Sequence, residues 1–257
     1  MNFSFITFVN NNTTYLELLK VLLDSIQQFS TSPIIIYFLS VPDDVISNLL
    51  SPYTSTVHIT TRKVNVEDLN FFSIYYYKPY VIIDAIEKGL ENGFYIDTDT
   101  IITQSCDEGV KKCLMKKFPD ESIPLSPIHI HELHVPNYYM DNVGVKERTQ
   151  HYIDASCLLF KKSNLEFLRM WFNFCLKSKY VFWDETCLNC TYWKYKCQLH
   201  YLPIINPYFD QFYTRKNLNL KHVYIFHGCK DAHQQKKLLD DLIGKKISIL
   251  RRTSHPG

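Results

Sequence analysis

Gly93-Phe94-Tyr95-Ile96-Asp97-Thr98-Asp99-Thr100-Ile101-Ile102-Thr103 is the stretch on which the reading of this chain turns. Gly93 to Ile96 reads as the end of a buried strand. Two carboxylates then stand one residue apart, and a second apolar pair, Ile101 and Ile102, follows. Along an extended backbone, positions i and i+2 point to the same side. Asp97 and Asp99 therefore aim at one point just beyond the strand's carboxyl end. Convergent carboxylates repel each other unless a cation sits between them. Hard oxygen ligands suit Mg²⁺ or Mn²⁺, which in turn hold phosphates. The stretch predicts a divalent-metal and diphosphate site. Asp-x-Asp also occurs as a solvated turn or a helix cap; the apolar strand in front of it sets this pair apart.

Outward from that strand the chain alternates. Phe3 to Val9 reads as a first strand, followed by Asn-Asn-Asn-Thr-Thr as a cap and a helix with Leu16, Leu19, Leu23 and Ile26 on one face. Ile34 to Leu39 reads as a fully buried strand. Val-Pro-Asp-Asp closes it, with the aspartates expected to cap a short helix to Leu50. Val57 to Thr61 is a third short strand. A helix from about Tyr76 stops at Gly89 and delivers the chain into the Asp-x-Asp strand. Such alternation predicts an α/β domain, a mostly parallel central sheet with helices on both faces. Ligands in these sheets collect at the strands' carboxyl ends, where Asp97 and Asp99 fall.

Residues 119 to 150 lose periodicity and are rich in Pro, His and Tyr, so they read as a long loop over the site. Ala155 to Phe160 is a further strand. Ser163-Asn-Leu-Glu166 reads as a capping box for a helix carrying Leu165, Leu168, Phe172 and Leu176. Another helix starts near Asp184, and a strand runs from Val223 to Phe226. The expected division is one domain over residues 1–235 and a Lys-rich polar tail over residues 236–257.

At 257 residues, with 46% hydrophobic and 15% aromatic content, the chain can bury one sizeable core. A net charge of +2 gives no reason to expect nucleic acid as a partner. Its seven glycines form neither a Walker loop nor Gly-x-Gly-x-x-Gly. The N-terminus lacks a charged n-region, and no apolar run is long enough to span a bilayer. A soluble, cytoplasmic protein with reduced core thiols is expected.

The ordered pieces resemble a nucleotide-sugar glycosyltransferase of the GT-A (Rossmann-like) fold, near the glycogenin-like and galactosyl-type branches, over roughly residues 3 to 235. Phe8-Val9-Asn10 resembles the start of the nucleotide pocket. Lys78-Pro-Tyr-Val-Ile-Ile-Asp-Ala-Ile resembles the helix before the metal motif, and Phe94-Tyr-Ile-Asp-Thr-Asp-Thr the motif itself. Tyr152-Ile-Asp-Ala-Ser-Cys-Leu-Leu-Phe resembles the acceptor-side strand, usually Asn-Ala-Gly. Trp183-Asp-Glu-Thr-Cys-Leu-Asn resembles the segment that opens a helix under the sugar. His227-Gly-Cys-Lys resembles the C-terminal His and Lys that complete the metal and phosphate site.

The resemblance implies Mn²⁺ or Mg²⁺ held by Asp97, Asp99 and His227, and a nucleotide-sugar donor, a UDP-sugar ahead of a GDP-sugar. Val9, Asn10, Lys78, Asp97, Thr98 and Lys230 would bind that donor. Asp184, Glu185 and Asp154 become the candidate catalytic carboxylates. Asp184 or Glu185 would hydrogen-bond sugar hydroxyls or activate the acceptor hydroxyl as base; Asp184 also fits a helix N-cap. The acceptor would be a glycan, a protein or a small molecule. Asp154 departs from the Asn usual in the retaining branch, so the stereochemical course is open. The oligomeric state is open too, a homodimer included.

Other functions compete. Asp97-x-Asp99-Thr partly matches the nucleophile motif of haloacid-dehalogenase-type phosphatases, although that motif normally lies on the first strand. A GT-A fold that binds a nucleotide-sugar without turnover is the other alternative. Cys187-x-x-Cys190 with Cys197-x-x-His200 has a zinc-like spacing, which a buried helix face also produces. His129, His131 and His134 alternate with apolar residues, as on a half-buried edge. The aromatic run Phe71, Phe72, Tyr75, Tyr76 and Tyr77 reads as core, with one tyrosine available to stack on nucleotide or sugar.

Overall fold

The computed structural model describes residues 2–69, 71, 73–115, 123–126, 135, 137–148, 152–177, 184–195, 209–211, 225–228 and 230–253. In chain order the elements begin with β1 (Ser4–Asn10), α1 (Thr13–Phe29), β2 (Ile34–Leu39), α2 (Asp43–Leu50), β3 (Ile59–Val64) and α3 (Val66–Leu69). Next come α4 (Tyr77–Glu87), β4 (Asn92–Ile96), β5 (Thr100–Ile102), α5 (Asp107–Met115), α6 (Asn137–Asn142) and β6 (Cys157–Lys161). α7 (Leu165–Lys177), α8 (Asp184–Tyr195), β7 (Phe209–Gln211), β8 (Ile225–His227) and α9 (Ala232–Thr253) complete the chain.

The central sheet has the order β3-β2-β1-β4-β6. Its first four strands are parallel and β6 runs antiparallel to β4. Helices lie on both faces, because alternate residues of each strand feed two separate cores. Phe5, Val9, Ile34, Ile36, Phe94 and Ile96 join α1, α2 and α9 on one side. Ile6, Ile35, Tyr37, Tyr95, Leu158 and Phe160 join α4, α7 and α8 on the other. β2 is buried at every position, as its unbroken apolar run requires.

Local chemistry fixes the ends. Asn12 caps α1, its side-chain oxygen accepting the Thr14 N–H at 2.9 Å. Gly89, at φ +100°, ends the turn after α4 in a conformation that L side chains avoid. Two helix starts differ from the expectation. Pro42, not an aspartate, occupies the cap of α2, so Asp43 and Asp44 serve the helix as first-turn charges. A 3₁₀ turn, Lys162–Asn164, precedes α7, and the Asn164 side-chain oxygen accepts the Lys161 N–H at 2.6 Å. Asn164 thus supplies a hydrogen bond at this start.

Two differences matter more. A second sheet, β5-β8-β7, carries the residues just after Asp99 and the histidine at position 227. It pairs Thr100 with His227 across antiparallel strands. And the residues expected as a polar tail from 236 lie in α9, with Leu239 fully buried. Of the expected loop over 119–150, the described part includes a short helix, α6; His129, His131 and His134 lie outside the described residues.

Candidate active site

β4 ends at Ile96, and Asp97 is the next residue. Thr98 and Asp99 form a turn before β5, so it is this turn, not an extended strand, that brings the two carboxylates to one side. β8 runs beside β5 and supplies His227. Gly228, at φ +97°, follows it, and its N–H reaches back to the Asp99 carbonyl at 3.2 Å. The result is a cluster in which one ligand atom each of Asp97, Asp99 and His227 lies within 4.8 Å of the others.

His227 Nε2 lies 3.2 Å from Asp99 Oδ1 and 3.6 Å from Asp97 Oδ2. Burial pulls the imidazole toward neutrality, but the charge and hydrogen bond of Asp99 prevail and carry its pKa up to about 9. Burial also pushes Asp99 upward; His227, with Lys230 and Lys78, outweighs it and holds the carboxyl below the usual range. Asp97 is displaced the other way, raised by burial and by Asp99 and Asp184 against the pull of Lys78 and His227.

Lys78, in the first turn of α4, is buried. Its Nζ lies 2.9 Å from Asp184 Oδ2, 3.2 Å from Asp97 Oδ1 and 3.0 Å from the Ala155 carbonyl. Tyr95 adds a 2.7 Å hydrogen bond from its phenol to Asp97 Oδ1, and Lys78 Nζ sits 5.3 Å from the centre of that ring. The lysine expected to face phosphate therefore ties Asp97 to the start of α8. Asp184 is the first residue of α8 and buried, and the Trp171 indole N–H bonds its carbonyl at 2.8 Å.

Three consecutive residues, Asp154 to Ser156, build the adjoining wall. The Ser156 carbonyl accepts the Asp97 N–H at 3.0 Å, and the Ala155 N–H donates to Glu185 Oε2 at 3.0 Å. The Ser156 N–H donates to Asp154 Oδ1 at 2.7 Å. Asn189, one turn beyond Glu185 and fully buried, docks α8 on this segment. It accepts the Ile153 N–H at 2.7 Å and donates to the Ile153 carbonyl at 2.8 Å. Burial, and next the charge of Asp154, push the Glu185 carboxyl well above the usual range.

These walls enclose a cavity of about 370 Å³. Val9, Asn10, Lys78, Asp97, Thr98, Asp99, Asp154, Asp184, Glu185, His227 and Lys230 all line it, so the residues expected for metal, donor and catalysis share one cleft. The aromatic rings of Phe8, Tyr15, Tyr75 and Tyr95, with the aliphatic Ile74, also line it. Tyr15 had no sequence signal beyond its place in the first turn of α1. Tyr76 and Tyr77 are core, while Tyr75 is 40% exposed at the cleft. Cys187 and Cys190 are fully buried, and the Cys187 thiol is 2.8 Å from the Tyr139 phenol; Cys197 and His200 lie outside the described residues.

No profile of a known protein family and no curated protein matches the sequence. Solved structures do match the fold. The galactosyltransferase LgtC, in complex with donor and acceptor sugar analogues, aligns over 94% of this chain and 95% of its own, with a TM-score of 0.63 and 13% identity. Mouse xyloside xylosyltransferase 1 aligns over 89% of this chain and 98% of its own, at TM-score 0.62 and 11% identity. The bifunctional glycosyltransferase WbbM aligns over 89% of this chain but 46% of its own, at 0.63 and 12%. The fold is GT-A. Asp97 follows the fourth strand in chain order, not the first strand on which the phosphatase motif normally lies.

Proposed function

We propose that this protein is a metal-dependent glycosyltransferase that moves a sugar from a nucleoside-diphosphate sugar to a hydroxyl of a glycan, protein or small-molecule acceptor. The convergence of Asp97, Asp99 and His227 at the floor of the cleft carries the reading. Two carboxylates and an imidazole fit a divalent cation such as Mn²⁺ or Mg²⁺: hard oxygens and one nitrogen, held by bonds made before any metal arrives. The three GT-A structures above, all glycosyltransferases by name, support it.

A cation bound there would supply Lewis-acid stabilisation to the departing diphosphate. The chain's own groups do the rest. Val9, Asn10 and Thr98 line the side where a nucleotide would lie, with Tyr15 and Tyr75 offering ring faces. Lys230 contributes a positive charge at the mouth, suited to phosphate oxygens. Lys78 holds Asp97 and Asp184 in register, and Asp154 and Glu185 face the sugar and the acceptor hydroxyl. We place these functions in residues 1–235 together with the α9 support. The buried thiols of Cys106, Cys157, Cys175, Cys187 and Cys190 fit a reducing, cytoplasmic setting. No helix among the described residues is long and apolar enough to cross a membrane.

Calorimetric titration of UDP- and GDP-sugars with Mn²⁺, repeated with a chelator, tests the proposal. Metal-dependent binding of one nucleotide class, lost in a folded Asp99→Ala variant, is expected, with nucleotide release once an acceptor is found. Binding that ignores both chelator and variant would sink the metal assignment. Binding without nucleotide release across an acceptor panel would point to the non-catalytic alternative.

A further inference from the structure

We propose that Tyr95 is a positioning residue of the metal site: its phenol occupies one oxygen of Asp97 and leaves the other, Oδ2, turned toward His227 for the cation. The cation belongs to the functional reading above, on which this inference rests.

An aspartate side chain keeps one freedom that its backbone does not remove. The Asp97 N–H is fixed by the Ser156 carbonyl at 3.0 Å, yet rotation about the last bond of the side chain is broad and roughly two-fold. Packing does not settle that rotation, since the Asp97 side chain is 25% exposed, against 8% for Asp99. Lys78 does not choose between the oxygens either. Its Nζ lies 3.2 Å from Oδ1 and 3.3 Å from Oδ2. The choice falls to the phenol. The Tyr95 hydroxyl donates to Oδ1 at 2.7 Å, while Oδ2 is the oxygen 3.6 Å from His227 Nε2. Asp99 Oδ1 reaches that same nitrogen at 3.2 Å.

Tyr95 can hold that choice because its ring is locked. The residue is 1% exposed and sits in β4 between Ile6 of β1 and Leu158 of β6. The Phe8 ring lies 6.3 Å away, and Lys78 Nζ stands 5.3 Å from the centre of the Tyr95 ring. A phenol has an ordinary pKa of about 10 and is protonated at neutral pH, so it donates and the carboxylate accepts. Hydrogen bonds of this kind, made to a ligand from outside the metal's own shell, orient that ligand, and losing one weakens metal affinity by roughly 10- to 100-fold. Tyr95→Phe would keep the packing and the ring face beneath Lys78 and remove only the donor. The carboxylate could then turn under Lys78, and the oxygen presented to the cation would no longer be fixed.

Calorimetric titration of Mn²⁺ into the full-length protein, with and without a nucleoside diphosphate, tests the role. Tyr95→Phe should bind Mn²⁺ roughly 10- to 100-fold more weakly than the unaltered chain. Para-aminophenylalanine at position 95 puts an N–H donor back in place of the hydroxyl and should recover most of that loss. Para-fluorophenylalanine, similar in size and without a donor, replaces Tyr95→Phe if that variant does not fold. Tyr192→Phe separates positioning from stability. It removes a similarly buried phenol, bonded to the Pro124 carbonyl at 2.6 Å near the other end of α8 from Asp184, and should leave Mn²⁺ affinity unchanged. Undiminished affinity in folded Tyr95→Phe, an equal loss in Tyr192→Phe, or an aniline side chain that restores nothing overturns the role of Tyr95 while leaving the metal reading in place. Absence of Mn²⁺ binding in the unaltered protein under both conditions overturns the metal reading itself, and this inference with it.

Discussion

In the proposed metal site a proton and the divalent cation would compete for one nitrogen of His227. The imidazole is raised from 6.5 to about 9 in the metal-free protein; burial opposes the rise and Asp99 drives it. A raised pKa means the folded state binds the proton more tightly than the unfolded chain. The stabilisation is complete below pH 6.5 and disappears as pH rises through about 9. Metal ligation needs the neutral ring, so Mn²⁺ affinity should climb over that same window, by up to about tenfold per pH unit. Calorimetry across the window checks it; a flat profile, or one that His227→Gln leaves unchanged, assigns the pH dependence elsewhere. Lys78 gives a second residue-scale prediction. Its Nζ is the cation shared by half-buried Asp97 and buried Asp184, so Lys78→Met leaves the Asp184 carboxylate buried without its cation and should cost about 3–5 kcal/mol. Urea unfolding measures this, and a cost below about 1 kcal/mol would show that the carboxylates are satisfied without it. The clustering of Asp97, Asp99 and His227 was legible because two carboxylates and a histidine at strand ends are the residue types a metal site would demand. The role of Lys78 was not legible, since the partners of an ammonium drawn from positions 97, 155 and 184 depend on tertiary contacts that no local spacing encodes.

β4 and α8 bring the two walls of the cleft together, and each depends on one residue without an evident signal of its own. Gly93 in β4 pairs with Phe160 in β6, and a Cβ there would come within 2.2 Å of the Phe160 ring. That ring is 1% exposed and cannot swing away. Gly93→Ala should cost about 1–3 kcal/mol by overpacking, with Phe160→Leu recovering part of it. Equal stability of Gly93→Ala and the unaltered protein in thermal unfolding would mean the strand pair yields more easily than this packing allows. Asn189 in α8 closes both hydrogen bonds of Ile153. Asn189→Leu should cost about 1–3 kcal/mol for each backbone group left bare. It should also weaken turnover more than nucleotide binding, because the 154–156 segment and Glu185 shift while the metal cluster stays. Equal losses in both would reduce Asn189 to a purely structural residue. The long elements were legible from their patterns: β2 as an unbroken apolar run, α1 and α7 from one apolar stripe each. β5, β7 and β8 were not read as a separate sheet, being three residues each and too short for alternation to register.

The whole molecule brings the site together from segments far apart in sequence: the turn after β4, the loop before β6, the start of α8 and the end of β8. Such a site is only as rigid as the layers that hold those ends, which gives α9 its importance. This helix follows directly on His227 and Lys230 and packs against α1, whose first turn carries Tyr15 into the cleft. Leu239 is fully buried in the core on that face of the sheet, and Ala232, Leu238 and Ile243 pack against the same core. Lys236 lies 3.6 Å from Asp24 of α1. The lysines and aspartates of this stretch suggested a polar tail, yet its apolar residues recur at helical spacing, and a stripe that narrow is masked by average composition. If α9 is a layer of the fold, a chain ending at residue 235 should lose stability well beyond the effect of Leu239→Ala, itself expected to cost about 2–5 kcal/mol. The loss should reach the cleft as weaker metal-dependent nucleotide binding, since α1 and β8 lose their shared support. Urea unfolding and calorimetry on the shortened chain decide the matter. A fragment with full stability and unchanged binding would return residues 236 onward to the status of a tail.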